Sequence, residues 1–204
     1  PLIGLDLPHR VLTYAEPDAS DASIAFGDAS YLAQRHGIGD AGLLSAYRRV
    51  LDEALAAAST EMQLPVVVEG INEGFGIHNL VSEHSFGETV DRLKAVVSGQ
   101  GDTVWFGDLD FQAEAATQDI AVRSVTMLLF GAPAPGGMCM AEFPRLGLDA
   151  FCQKLLVYED DQRQVRVAFN DIVSFATLHY GRNNPPQEVV NSRLDAAFRS
   201  ATSR

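Results

Sequence analysis

The sequence predicts an α+β fold, a mainly antiparallel sheet backed by helices. Three observations lead there. Short apolar strands come in pairs around polar turns. Capped amphipathic helices stand between the strands rather than in strict βαβ alternation. One stretch of sequence also occurs twice. Pro1, Gly4, Leu5 and Asp6 match Pro144, Gly147, Leu148 and Asp149. After a one-residue slip, Leu12 and Tyr14 match Leu156 and Tyr158. Beyond the slip, Ala25, Phe26, Asp28, Ala33 and His36 match Ala168, Phe169, Asp171, Ala176 and His179. Residues 1–60 thus repeat residues 144–204, and the middle of the chain occurs once. This divides the chain into a half-unit, 1–60, and a complete unit, 61–204.

The elements follow in order. Arg10 to Tyr14 and Ser23 to Phe26 read as a strand pair around the turn Pro17 to Asp21. Asp28 can cap a short helix running to His36. Leu43, Leu44, Tyr47, Val50, Leu51, Ala54 and Leu55 recur at helical spacing, predicting a helix over Leu43 to Ala58. Val66 to Val68 and Gly74 to Val81 read as extended. Ser85-Phe86-Gly87-Glu88 has the form of a capping box and opens a helix with Val90, Leu93, Val96 and Val97 on its apolar face. Thr103 to Phe106 is a strand, Asp110 to Gln118 an alanine-rich helix, and Val125 to Phe130 a buried strand. Gly131 to Gly137 reads as a wide turn. Lys154 to Tyr158 and Val165 to Phe169 repeat the first strand pair, and Asp171 opens a helix to His179. Val189, Val190, Leu194, Ala197 and Phe198 mark the last helix. The expected core holds Val104, Phe106, Leu128, Phe130, Leu156 and Phe169.

Composition bounds the function. The chain has 204 residues, 47% hydrophobic and 21% charged, an ordinary globular balance. Lys+Arg 15 against Asp+Glu 27 gives a net charge of -12, which argues against nucleic acid and anionic membranes as partners. No apolar run approaches the roughly 18 residues of a membrane span. Two cysteines are too few for a disulfide framework. The chain opens at Pro1 with no charged-then-apolar leader. The cytoplasm is the expected compartment, with the periplasm left open.

Candidate chemistry is sparse. His9, His36, His78, His84 and His179 show no zinc-pair spacing on one helix, and there is no Cys-x-x-Cys. His36 and His179 fall at the ends of the two short helices, where a protonated imidazole suits the dipole. Met138, Cys139 and Met140, with Cys152 as a further donor, are the soft-metal candidates, set against core packing by sulfur side chains. Gly131 to Gly137 lacks the lysine and hydroxyl of a phosphate loop. No nucleophile motif is present. Asp108, Asp110, Glu159, Asp160 and Asp161 read as solvated turn carboxylates, without calcium-loop spacing. Phe75, Trp105, Phe130 and Phe169 are candidates to line an apolar pocket under the sheet.

Several segments carry a family resemblance: Ser85 to Leu93; Phe130-Gly131-Ala132-Pro133; Gly4 to Pro8 with Val11 to Tyr14; and Asp28, Tyr31 to Ala33 and Arg35-His36-Gly37. Together they resemble the bacterial domain of unknown function 302 family, as one complete copy over about 76–181 and a half-copy over 1–38. The resemblance implies a TATA-box-binding-protein-like fold, a curved antiparallel sheet backed by helices, often assembled as dimers. It implies no activity, and the cofactor stays open. Phe111 stands where the family tends to have histidine, and Ala132 replaces an asparagine. Three functions follow as expectations. The first is a non-catalytic binding or assembly protein with a protein or small apolar partner. The second is a soft-metal or redox sensor built on Met138, Cys139 and Met140. The third is an enzyme with an unrecognised site. A half-unit leaves a sheet edge open and Val11, Leu12, Ile24 and Phe26 to be covered. A homodimer is the expected cover. The intrachain alternative lays the helix from Leu43 across the complete unit with Leu44, Leu51 and Leu55 inward.

Overall fold

The computed structural model describes residues 1–16, 18–56 and 69–204. The predicted extended segment Val66 to Val68 and the end of the helix predicted to reach Ala58 lie outside these residues. A 3-10 turn, Leu2–Asp6, is followed by strands β1 (Val11–Tyr14) and β2 (Ser23–Phe26). Helices α1 (Ala29–His36) and α2 (Ala41–Leu55) follow; the elements up to Leu55 are called the first unit and those from Ile77 the second unit, as labels only. The second unit opens with β3 (Ile77–Val81), α3 (Phe86–Ser98), β4 (Val104–Asp110), α4 (Phe111–Ala116), β5 (Val125–Gly131) and α5 (Pro133–Met140). A second 3-10 turn, Pro144–Leu148, precedes β6 (Gln153–Glu159), β7 (Val165–Asn170), α6 (Ile172–Tyr180) and α7 (Pro185–Thr202). The fold is α+β.

Side chains start and stop these helices. Asp28, Asp40, Ser85, Asp110, Asp171 and Asn184 each accept from a backbone N–H of the first turn. Gly37 and Gly181 end α1 and α6 in the left-handed conformation, at φ +62 and +67. In the predicted capping box, Ser85 accepts from Glu88 N–H at 3.4 Å, but the Glu88 carboxylate meets His84 Nδ1 at 3.0 Å.

The second unit holds a five-stranded sheet in the order β3-β7-β6-β5-β4, antiparallel throughout. Alternation along the strands gives it two faces. On one, Leu128, Phe130, Leu155, Val157, Val167 and Phe169 pack against Leu93 and Val97 of α3 and Leu194 and Phe198 of α7. On the other, Met127, Leu156, Tyr158 and Ala168 pack against Leu5 of the first 3-10 turn, with Leu2 and Phe111 alongside. The first 3-10 turn thus lies on the face that the long helices leave free, while Tyr31 and Leu32 of α1 join the first of these two clusters. β1 and β2 form a separate two-stranded sheet. On α2 only Leu51 is fully buried, with Leu44, Tyr47 and Leu55 half-buried on the same stripe.

The structure corrects four expectations. Gly131 to Gly137 is not a wide turn, since α5 starts at Pro133. Proline suits the first helical turn because the N–H it lacks would have no intrahelical partner there. The strand expected from Gly74 starts at Ile77, because Gly74 and Gly76 sit at φ +80 and +61 in a turn. The helix expected to reach Gln118 stops at Ala116. Val104 and Phe106 are not core: they are 45% and 50% exposed. Both lie on edge strand β4, and Phe106 occupies the register shift between Trp105 and Gly107. Leu128, Phe130, Leu156 and Phe169 are buried, as the sequence indicates.

Candidate functional site

The two units meet through reciprocal contacts. The order 3-10 turn, strand, strand, helix, helix occurs in both. Gly4 approaches Leu156 so closely that a Cβ there would stand 3.0 Å from its methyl carbon; at Gly147 a Cβ would stand 3.3 Å from Leu12. Each 3-10 turn therefore rests on a leucine of the other unit's strand pair, and a side chain at either glycine would press on it. Lys154 Nζ donates to the Leu7 carbonyl at 2.6 Å. In return, Arg10 donates to the carbonyls of Leu148 (2.9 Å), Phe151 (3.2 Å) and Cys152 (2.8 Å).

Between the units sits a buried charge cluster. Arg35 is 0% exposed. Its Nη1 donates to both Asp6 oxygens at 2.9 and 2.7 Å, its Nη2 to Asn170 Oδ1 at 2.7 Å, and its Nε to the Phe75 carbonyl at 3.0 Å. The guanidinium also lies 4.9 Å from the centre of the Phe175 ring. His36 Nε2 meets Asp6 at 2.5 Å, and His179 Nε2 meets Asp149 at 2.6 Å. Burial raises the Asp6 carboxyl, but the His36 hydrogen bond and the Arg35 charge outweigh it and hold the group below the usual carboxylate range. Burial, with Arg10 nearby, pushes the Lys154 ammonium down to about 7. Burial raises the Tyr31 hydroxyl well above its ordinary value.

A second feature is a cavity of about 50 Å³ between α5, the loop before β6 and α7. Phe130, Cys139, Met140, Cys152, Gln153 and Arg193 are among its lining residues. Cys139 is buried and Cys152 half-buried, and both are free thiols. Burial pushes the Cys139 thiol up. Cys152 sits at φ +55, which L side chains rarely adopt. Gln187 donates to the Cys139 carbonyl at 2.8 Å and ties α5 to α7.

The predicted site residues divide accordingly. Of the apolar pocket candidates, Phe130 alone lines this cavity. Phe75 packs edge-on against Phe175, and Phe169 stacks on His78 and meets Phe198 edge-on. The Trp105 ring has the Lys94 ammonium 5.7 Å from its centre. The four aromatics belong to one core cluster rather than to one pocket. Cys139, Met140 and Cys152 all line the cavity, while Met138 does not line it and is 58% exposed. Among the described residues no three His, Cys, Asp or Glu side chains form a metal-binding group. No helix among them is long and apolar enough to cross a membrane. Arg35, Lys154 and Asn170 were not candidates from the sequence. The matched pairs Asp6/Asp149 and His36/His179 were the visible signal of this cluster.

His78 offers a pH test. Its Nε2 meets Asp171 at 2.8 Å, and this bond raises the imidazole above its ordinary value against the effect of burial. Burial raises Asp171, but the His78 bond and the N–H of Ser174 hold it at about 2. The raised His78 adds stability that is full below about pH 6.5 and is lost as pH rises through its folded value. The depressed Asp171 adds stability that is full above about pH 4 and is lost as pH falls towards 2. In Asp171→Asn, an NMR titration of His78 should give a midpoint below the wild-type one. An unchanged midpoint would mean that Asp171 does not charge-pair with His78.

The family described as "Domain of unknown function DUF302" matches residues 78–201. A crystal structure of an uncharacterized conserved DUF302 protein from Bacillus stearothermophilus is similar, with a TM-score of 0.49 and 10% identity. The likeness covers 62% of this chain and 95% of that one. No curated protein matches the chain. Since the family match spans more than half of the 204 residues, the chain belongs to the DUF302 family.

Proposed function

We propose that the chain is a non-catalytic assembly protein that pairs with a second copy of itself. In this reading residues 1–60 are the C-terminal half of a family domain and residues 61–204 a complete copy. The recurring element order and the reciprocal Gly4–Leu156 and Gly147–Leu12 contacts support it. One observation carries the homodimer. The hairpin β6–β7 is flanked by β5 and β3, whereas β1–β2 has no further strand among the described residues. Among the described residues no strand pairs with either of its outer edges, and Val11 there is 46% exposed. A second copy offers the same edge, so an antiparallel pairing about a twofold axis closes the assembly.

The buried polar groups support a structural rather than chemical role, because Arg35 and Asp6 are engaged in joining the units. The cavity beneath α5, at about 50 Å³, is smaller than the roughly 150 Å³ that accommodates benzene, so this cavity does not favour an organic ligand over a protein partner. The cytoplasm suits two cysteines kept as thiols. Sedimentation across micromolar concentrations should give twice the 22.0 kDa chain mass. A particle that stays at 22.0 kDa throughout would overturn the homodimer.

A further inference from the structure

We propose that the cavity beneath α5 is a site for a soft monovalent cation of the Cu(I) class, held by Cys139 Sγ, Cys152 Sγ and Met140 Sδ. The proposal stands apart from the assembly reading and rests on different residues. Both cysteines of the chain line this one cavity, although 13 positions separate them in sequence, and a thioether joins them. The cavity is small enough for an ion and too small for an organic ligand of benzene size.

The donor set selects among metals. Thiolate and thioether are soft donors and suit Cu(I). No carboxylate or imidazole lines the cavity, so a hard cation or a typical mixed-ligand zinc site lacks its donors. Arg193 also lines the cavity, but its guanidinium charge is already paired with Asp102. In the binding step each thiol loses its proton to solvent and forms a Cu–S bond, while Met140 donates a lone pair. Copper keeps its oxidation state.

The backbone is set for this arrangement. Cys152 is held at positive φ while its carbonyl, with those of Leu148 and Phe151, accepts from Arg10. Non-glycine residues held this way cluster at ligand sites. Cys139 is fixed from the other side, where Gln187 holds its carbonyl. Cys152, half-buried, leaves a way in from the surface.

The test adds Cu(I) anaerobically as its acetonitrile complex, against a chromophoric Cu(I) chelator. One copper per chain should be retained, and both thiols should become unreactive to a thiol-specific dye until the chelator removes the metal. Met140→Leu should weaken binding by at least about tenfold, and Met138→Leu should leave it unchanged. Cys139→Ser and Cys152→Ser should each abolish it. If the serine variants unfold, the thiol protection in the wild type and the Met140/Met138 contrast decide. No retained copper, copper bound with both thiols still reactive, or equal losses in the two methionine variants would each overturn the proposal.

Discussion

Arg35→Met should lower the unfolding free energy by about 3–5 kcal/mol, the cost of removing one partner from a buried ion pair. Arg35 is fully buried and makes four side-chain hydrogen bonds, two to Asp6, one to Asn170 and one to the Phe75 carbonyl. Methionine fills much of the volume but leaves the Asp6 carboxylate in a low-dielectric pocket with His36 as its remaining partner. Asn170 Oδ1 and the Phe75 carbonyl also lose a donor, and each unsatisfied group adds about 1–3 kcal/mol. The effect should reach beyond the residue. Asp6 ends the 3-10 turn that places Leu5 against Leu156, so the variant loosens the first unit's seat on the sheet. Urea melts measure the loss, and Asp6→Asn in the same background should recover part of it, because the orphaned charge is then gone. A single-variant cost under about 1 kcal/mol would mean that water reaches Asp6 in the native state.

The architecture was legible where its causes are local. The capping aspartates Asp28 and Asp171, the helical spacing along α3 and α7 and the strand–turn–strand pattern around Asp160 act within a few residues. Each was readable as a string. The matches between residues 1–38 and 144–181 also named the pairs Asp6/Asp149 and His36/His179. The pairing of Asp6 with His36 was not readable, because it joins residues 30 apart and depends on how the 3-10 turn meets the helix end. Arg35 was named only within the family-like stretch Arg35-His36-Gly37, and its burial was hidden for a stronger reason. Arginine is usually a surface residue, and its burial depends on partners far apart in sequence, among them Asp6, the Phe75 carbonyl and Asn170, 135 positions away. The Gly131 to Gly137 stretch misled in the opposite direction. Its glycines and prolines weaken a helix by propensity, but burial of Cys139 and the Gln187 bond hold α5 in place.

Which strand would stand at the edge was equally hidden. Alternation along Val104–Asp110 gives two faces but does not tell that β4 is outermost, and this sets Phe169 and Phe106 apart. Phe169→Ala should cost about 3–5 kcal/mol, the transfer of a buried ring plus the cavity it leaves. Phe169 is 1% exposed in the middle of the sheet, with its ring between His78 (4.8 Å) and Phe198 (4.9 Å), so the neighbours cannot collapse without losing those contacts. Phe106→Ala should cost no more than about 1 kcal/mol. Half of that side chain faces solvent, and what it loses is its contact over Gly131, where its ring would lie 2.8 Å from an added Cβ. Urea melts of the two variants, read at equal m-value, give the comparison. Equal losses would place Phe106 in a covered core and would mean that a partner surface, such as a second copy, lies over β4 in solution.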